Sequence, residues 1–141
     1  MARLTKKTDI RLVTFLLNGE RYGVDVKWVR EIVNMVEISR IVDAPHYVKG
    51  VINLRGSSVP VISLRSRFGY PDVVDEQLSC IAVMEFNGEL TGFIFDEISD
   101  VIRVKTSEVK PLLDAVSQPW IEGMLSMGQK LGVLLDLRHL A

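Results

Sequence analysis

Apolar and polar positions alternate with a period of two in several short runs, the spacing that sets one face of a strand against a core. Arg11 to Leu17 and Glu20 to Val24 are such runs, and Asn18-Gly19 between them is a two-residue hairpin signal. A second pair, Ser79 to Phe86 and Leu90 to Phe95, flanks Asn87-Gly88. A third runs from Tyr47 to Leu64: Gly50 opens a run with Ile52 and Leu54 on one side and Val51, Asn53 and Arg55 on the other. Gly56, Ser57 and Ser58 read as its turn and Val59 to Leu64 as the return strand. Pro60 lacks an amide donor, so it belongs at a strand start, an edge or a bulge. Arg65 to Phe68 predicts one helical turn stopped by Gly69. A longer stretch also breaks the β pattern. Val26, Trp28, Val29, Ile32 and Val33 fall on one side of a helix over Val26 to Val33, with Asp25 as its cap and Lys27, Arg30 and Glu31 opposite. So many β-branched residues make it a weak helix. Met35 to His46 reads as a connection with one short extended piece, and Pro71 to Gln77 as a polar linker.

The pattern also repeats. Asn18-Gly19-Glu20 with Gly23 recurs as Asn87-Gly88-Glu89 with Gly92, and Val29 to Val33 matches Ile98 to Ile102 at the same offset of about 69 positions. Tyr47 to Ile52 aligns with Trp120 to Leu125, and Ile62-Ser63-Leu64-Arg65 with Leu135-Asp136-Leu137-Arg138, both about 73 positions apart. Units of this size are marginal alone, so two imperfect copies of a five-stranded unit predict an all-β double barrel with a shared core.

The repeat separates what the fold needs from what it does not. Gly50, Leu64 and Arg65 have counterparts in Gly123, Leu137 and Arg138. Asn53-Leu54-Arg55-Gly56 has none, because the second copy carries Ser126-Met127-Gly128-Gln129 there. Arg55 is therefore a candidate binding residue, set against the plain alternative of an exposed loop charge.

Composition narrows the function further. The 141 residues are 48% hydrophobic, ample for a core, and the net charge of -1 is spread over both signs, leaving no basic field for nucleic acid or anionic lipid. No stretch approaches the length of a membrane span and no secretory leader is visible, which together with a single cysteine predicts a cytoplasmic protein. His46 and His139 lack metal-ligand spacing and read as surface residues. Cys80, inside a strand, reads as a small buried hydrophobe. Trp28 and Trp120 read as packing residues, and no phosphate loop, nucleophile elbow or acid pair appears. The sequence thus predicts neither an enzyme, a metal site nor a cofactor.

YGVDVKWVREIV, VKGVINLRGSSVPVISLRSRFG, GELTGFIFDEISDVIRV and IEGMLSMGQKLGVLLDLRHL, in that order, closely resemble the CheW family of chemotaxis coupling proteins from Arg11 to Leu140. The resemblance implies one CheW-like domain over residues 1–141: two five-stranded SH3-like barrels with short helices around a shared core. The first covers about residues 11–70 and the second about 78–140, with strand exchange between them allowed. It implies a non-enzymatic adaptor joining chemoreceptor cytoplasmic tips to the regulatory domain of the histidine kinase CheA, monomeric alone and gathered into receptor arrays. A pilus-motility or other chemosensory pathway is the alternative setting, and a small-ligand-binding barrel a more distant one. Matched to the family motifs, Arg55 and Glu31 become partner-contact residues paired with each other, and Val29, Asn53, Gly50 and Gly56 lie near those contacts. Both glycines also admit a purely backbone role. Where the family has aspartate, this chain has Ser63, which implies a weaker network around Arg65.

Overall fold

The computed structural model describes residues 9–71, 79–112 and 118–140. Ten strands follow in chain order: β1 (Asp9–Leu17), β2 (Glu20–Asp25), β3 (Val29–Asn34), β4 (Val48–Leu54), β5 (Ser57–Ser63), β6 (Cys80–Phe86), β7 (Glu89–Phe95), β8 (Glu97–Lys105), β9 (Ile121–Met127) and β10 (Lys130–Leu135). One short helix, α1 (Leu64–Arg67), follows β5. The expected linker from Pro71 to Gln77 lies almost wholly outside the described residues.

The strands form two five-stranded sheets, ordered β8-β1-β2-β10-β9 and β3-β6-β7-β5-β4. Replacing each strand of the first sheet by its repeat partner generates the second, so the duplication read from the sequence holds at the level of topology. Neither sheet is built from one half of the chain, however. The first two strands of each copy join the last three of the other, through the antiparallel pairs β1–β8 and β3–β6 and the parallel pairs β2–β10 and β5–β7.

Each sheet is closed into a barrel by one two-hydrogen-bond bridge across its seam. Ser39 and Val51 exchange bonds of 2.9 and 2.8 Å in one barrel, and Lys110 and Met124 exchange two of 2.8 Å in the other. Gly50 and Gly123 sit beside these seams. A Cβ on Gly50 would overlap the Ser39 carbonyl oxygen, and one on Gly123 would lie 2.6 Å from that of Lys110. Gly50 also holds φ at +143°, which side chains rarely adopt.

Three apolar clusters result. Leu12, Val104, Leu125, Met127 and Leu134 fill one barrel, and Ile52, Val59, Val61, Ile81 and Val83 fill the other. A larger cluster joins the barrels, with Phe15 and Phe95 stacked at 3.9 Å between ring centroids and Leu17, Leu64, Phe86, Phe93 and Leu137 around them. Cys80 belongs to this shared core, where burial pushes its thiol up to about 11. Trp28 and Trp120 pack on its rim, half-buried, each with an arginine over the ring (Arg138 and Arg67, both at 4.8 Å).

Two local expectations are corrected. Val26 to Val33 is not a helix: Val26–Trp28 is a single 3-10 turn, capped by Asp25 Oδ1 accepting from the Lys27 amide at 3.0 Å, and Val29 begins β3. The β-branched run Val29, Ile32 and Val33 wins over the helical period once β6 offers a ladder. The turn of the third hairpin is Arg55-Gly56, with Ser57 and Ser58 already in β5. Pro60 lies within β5, exposed, just before pairing with β7 starts at Val61, so its missing donor is not needed there. Ser63 supplies no charge to Arg65, whose partners lie elsewhere. Arg65 Nε and Nη2 donate to Asp96 at 2.8 and 2.6 Å, and Nη1 donates to the Pro71 carbonyl at 2.7 Å.

Candidate functional site

The β4–β5 tip departs most from what its own backbone asks for. Among the described residues, four non-glycine residues have positive φ: Asn18, Asp43, Asn87 and Arg55. Three are Asn or Asp, whose short polar side chains suit the left-handed region; the fourth is an arginine. Asn18-Gly19, Asn87-Gly88 and Arg55-Gly56 share one turn geometry, with φ of 53° and 79°, 53° and 82°, and 50° and 89°. Both central residues need positive φ there, which is why Asn-Gly is the favoured filling. Arg55 holds a position that two sister turns give to asparagine, so local folding preference does not account for it.

The turn is held from behind. Asn53 Oδ1 accepts the Gly56 amide at 2.9 Å, fixing the bend, while Gly56 is required only for its φ, since a Cβ there would meet nothing within 4 Å. The side chain of Arg55 is 69% exposed and donates through Nη1 and Nη2 to both carboxylate oxygens of Glu31, the Nη1 bond measuring 3.4 Å. Glu31 lies on β3, at the opposite edge of the same sheet. A bulge aims it: Val29 faces Met84 and Glu31 faces Val83, leaving Arg30 as the extra residue. Arg30 in turn donates to Glu85 at 2.6 Å. The Arg55 hydrogen bonds hold the Glu31 carboxyl below the usual carboxylate range, and the same bonds raise the guanidinium.

The structure therefore gathers Arg55, Glu31, Asn53 and Gly56 at one exposed tip. Val29, two residues from Glu31, is turned partly onto the shared core, and Gly50 is buried at the seam, where the Ser39 contact accounts for it. The arrangement offers a guanidinium and a carboxylate on a rigid turn, which suits recognition rather than bond making. Among the described residues there is no group of three or more His, Cys, Asp or Glu that could hold a metal ion, and no helix long and apolar enough to cross a membrane. His46 and His139 are exposed, His46 Nε2 lying 3.3 Å from the Ser66 carbonyl oxygen and His139 Nε2 3.7 Å from Asp136.

Sequence reading missed the exposed apolar residues. Ile98 and Val101 on β8 are 41% and 60% exposed, whereas their repeat partners Val29 and Ile32 pack on the shared core. Val36, Ile41 and Val42 stand out from the segment after β3, and Leu131 from β10. The signal available was the apolar content of Val36 to Val42, within a segment read only as a connection with one short extended piece.

A family model, the CheW-like domain, matches residues 11–141. The chemotaxis protein CheW of Klebsiella aerogenes is 30% identical over 129 residues, covering 89% of this chain and 78% of that one. CheW of Treponema pallidum is 32% identical over 139 residues, covering 94% and 82%. The crystal structure of the scaffolding protein TtCheW from Thermoanaerobacter tengcongensis matches with a TM-score of 0.84 at 29% identity, over 97% of this chain and 90% of that one.

Proposed function

The chain belongs to the CheW-like domain family, and from that premise we propose that it is a non-enzymatic coupling scaffold of chemotaxis signalling. It joins the cytoplasmic tip of a chemoreceptor to the regulatory domain of the histidine kinase CheA, with Arg55 and Glu31 at the centre of one contact and Val29, Asn53 and Gly56 supporting it. The observation that carries this reading is Arg55 itself, a long cation in a left-handed turn where the sister turns hold asparagine. A guanidinium 69% exposed on a fixed bend is available for a partner's carboxylates or carbonyls. The uncovered apolar positions Ile98 and Val101 offer a second, chemically different face, suited to the apolar stripe of a receptor helix. Two unlike faces on one rigid body are what a coupler needs, and contacts modest singly become strong when many copies assemble. Location follows the partners: the protein gathers on the inner side of the membrane in receptor arrays. Sedimentation with vesicles carrying receptor tips, with and without the kinase, tests the proposal. Co-sedimentation that rises when the kinase is present supports it, and absence of binding to either partner overturns it.

A further inference from the structure

The two barrels carry a bulge at equivalent places and hold it in different ways. In β8, Ser99 and Asp100 stand against one residue of β1, Thr14, between the pairs Phe15–Ile98 and Val13–Val101. In β3, Arg30 is the extra residue between the pairs Val29–Met84 and Glu31–Val83. In the register of the repeat these are one feature: Thr14 corresponds to Val83, Ser99 to Arg30 and Asp100 to Glu31.

Buried Thr14 holds the β8 bulge from inside, its hydroxyl donating to the Asp100 carbonyl at 2.8 Å and accepting the Asp100 amide at 2.9 Å. A bulge takes backbone groups out of the ladder, and this hydroxyl satisfies two of them. Val83, equally buried, has no polar atom with which to do the same. The β3 bulge is instead tied from outside, where Arg30 Nη1 donates to Glu85 on β6 at 2.6 Å. Neither end of this tie has a charged counterpart in the other copy, which holds Ser99 and Leu16 in those places.

With side chains 59% and 38% exposed, such an ion pair adds little to stability, so the fold alone gives no reason for it. Its place does. Glu31 follows Arg30 directly and takes both guanidinium bonds of Arg55, and the Arg30 charge adds to those bonds in holding the Glu31 carboxyl low. A bulged strand bends at its extra residue, so where Arg30 is held decides where Glu31 points.

We propose that the Arg30–Glu85 pair is a positioning device for the partner contact: it fixes the β3 bulge and so keeps Glu31 aimed at Arg55 on the β4–β5 turn. Its consequence for binding rests on the scaffold reading above; its geometry does not. Arg30 acts here through Glu31. A guanidinium that met a partner directly would instead be freed by the loss of Glu85, and binding would hold or tighten.

Glu85→Ala and Glu85→Gln separate these roles in protein with isotope-labelled glutamate carboxyls, with Arg55→Ala marking where the Glu31 signal lies without its partner. In Glu85→Ala the Glu31 signal should move at least halfway to that mark while the melting temperature holds. Glu85→Gln keeps an acceptor of the same reach and should leave the signal near its wild-type place. Binding to the receptor tip or the kinase regulatory domain should weaken about fivefold in Glu85→Ala and less than about twofold in Glu85→Gln. An unmoved Glu31 signal in Glu85→Ala overturns the proposal, and so does Glu85→Gln displaced as far as Glu85→Ala, which would assign the effect to charge and not to a held geometry. Undiminished binding by Glu85→Ala overturns it as well. A wild-type chain that binds neither partner overturns the scaffold reading, and the carboxyl signal then decides the positioning by itself.

Discussion

The β4–β5 and β9–β10 hairpins are repeat partners with the same antiparallel pairing and the same position in their barrels, yet their tips differ in kind. One ends in Gly128-Gln129, with glycine supplying the positive φ; the other puts Arg55 in the equivalent place and braces it with Asn53 and Glu31. Behind the tips the difference is only one of filling. Met127 lies where a Cβ on Gly132 would sit, 2.7 Å from Met127 Cε, whereas in the other barrel the counterparts Leu54 and Val59 share one apolar cluster. Bulk has been traded within each barrel, but only one of the two turns holds a charged residue at its centre, Arg55. The seam and the shared core belong to both copies and serve the fold; the Arg55–Glu31 pair belongs to one copy and calls for a reason outside it.

If that division is right, breaking a shared feature costs stability, and the seam costs most. Gly50→Ala should lose about 3 kcal/mol, because the new methyl group overlaps the Ser39 carbonyl and the backbone φ of +143° disfavours any side chain. Gly123→Ala meets the Lys110 carbonyl at 2.6 Å without that φ and should lose about half as much. Denaturant unfolding of both variants checks the order; equal losses would mean that backbone conformation plays no part at the seam.

Next in size is the Arg65–Asp96 pair, with side chains 13% and 24% exposed. Asp96→Ala leaves a largely buried guanidinium without its carboxylate and releases the Asn18 amide, an expected loss of about 2 kcal/mol. The second copy answers the same need differently. Asp136 caps its own turn and binds Arg138 at 2.8 and 2.6 Å, as Ser63, which only caps α1 through the Ser66 amide, cannot. In this copy the carboxylate that holds the arginine is Asp96, 31 residues away in sequence.

That exchange marks where sequence reading stops. The Asn-Gly turns and the alternating strands were legible because each is a local rule, and the duplication because it compares the chain with itself. Arg55 stood out by the same comparison, although its left-handed φ was invisible, since Gly56-Ser57-Ser58 satisfied turn composition equally well. Val26 to Val33 was misread because a short apolar run fits a helix or a strand until a neighbour is known, and its neighbour, β6, begins some fifty residues on. The match of Val29–Val33 to Ile98–Ile102 did carry the answer, since both segments are strands. Nothing local announces the parallel β2–β10 and β5–β7 pairings or the Asp96 contact, which depend on how the copies interlock.

A smaller effect comes from acid. Burial alone would raise Asp96, but hydrogen bonds from Arg65 and the Asn18 amide outweigh it and hold the carboxyl below its ordinary value; the bonds from Arg138 do the same for Asp136. Groups depressed in the folded state stabilise it above their unfolded pKa, about 3.9 for aspartate, and lose that contribution as pH falls through the lower folded value. Stability should therefore be level near neutrality and fall below about pH 4, less steeply in Asp96→Ala. Melting curves between pH 7 and pH 2.5 decide it, and an unchanged slope in the variant would remove Asp96 from the linkage.

The smallest change to the fold should come from the substitution with the largest consequence for partners. Arg55→Asn gives the β4–β5 turn the residue its sister turns already use at φ of 53°, so the melting temperature should hold or rise by about 1–3 °C. The same change removes the exposed guanidinium from its bracing carboxylate, and loss of a central interface arginine should weaken binding to receptor tip or kinase regulatory domain about thirtyfold. Both quantities measured on one preparation test the central claim most directly. A protein that melts as before and no longer binds is the predicted result; one that binds as before, or that loses stability in step with binding, would show that Arg55 serves the fold and not a partner.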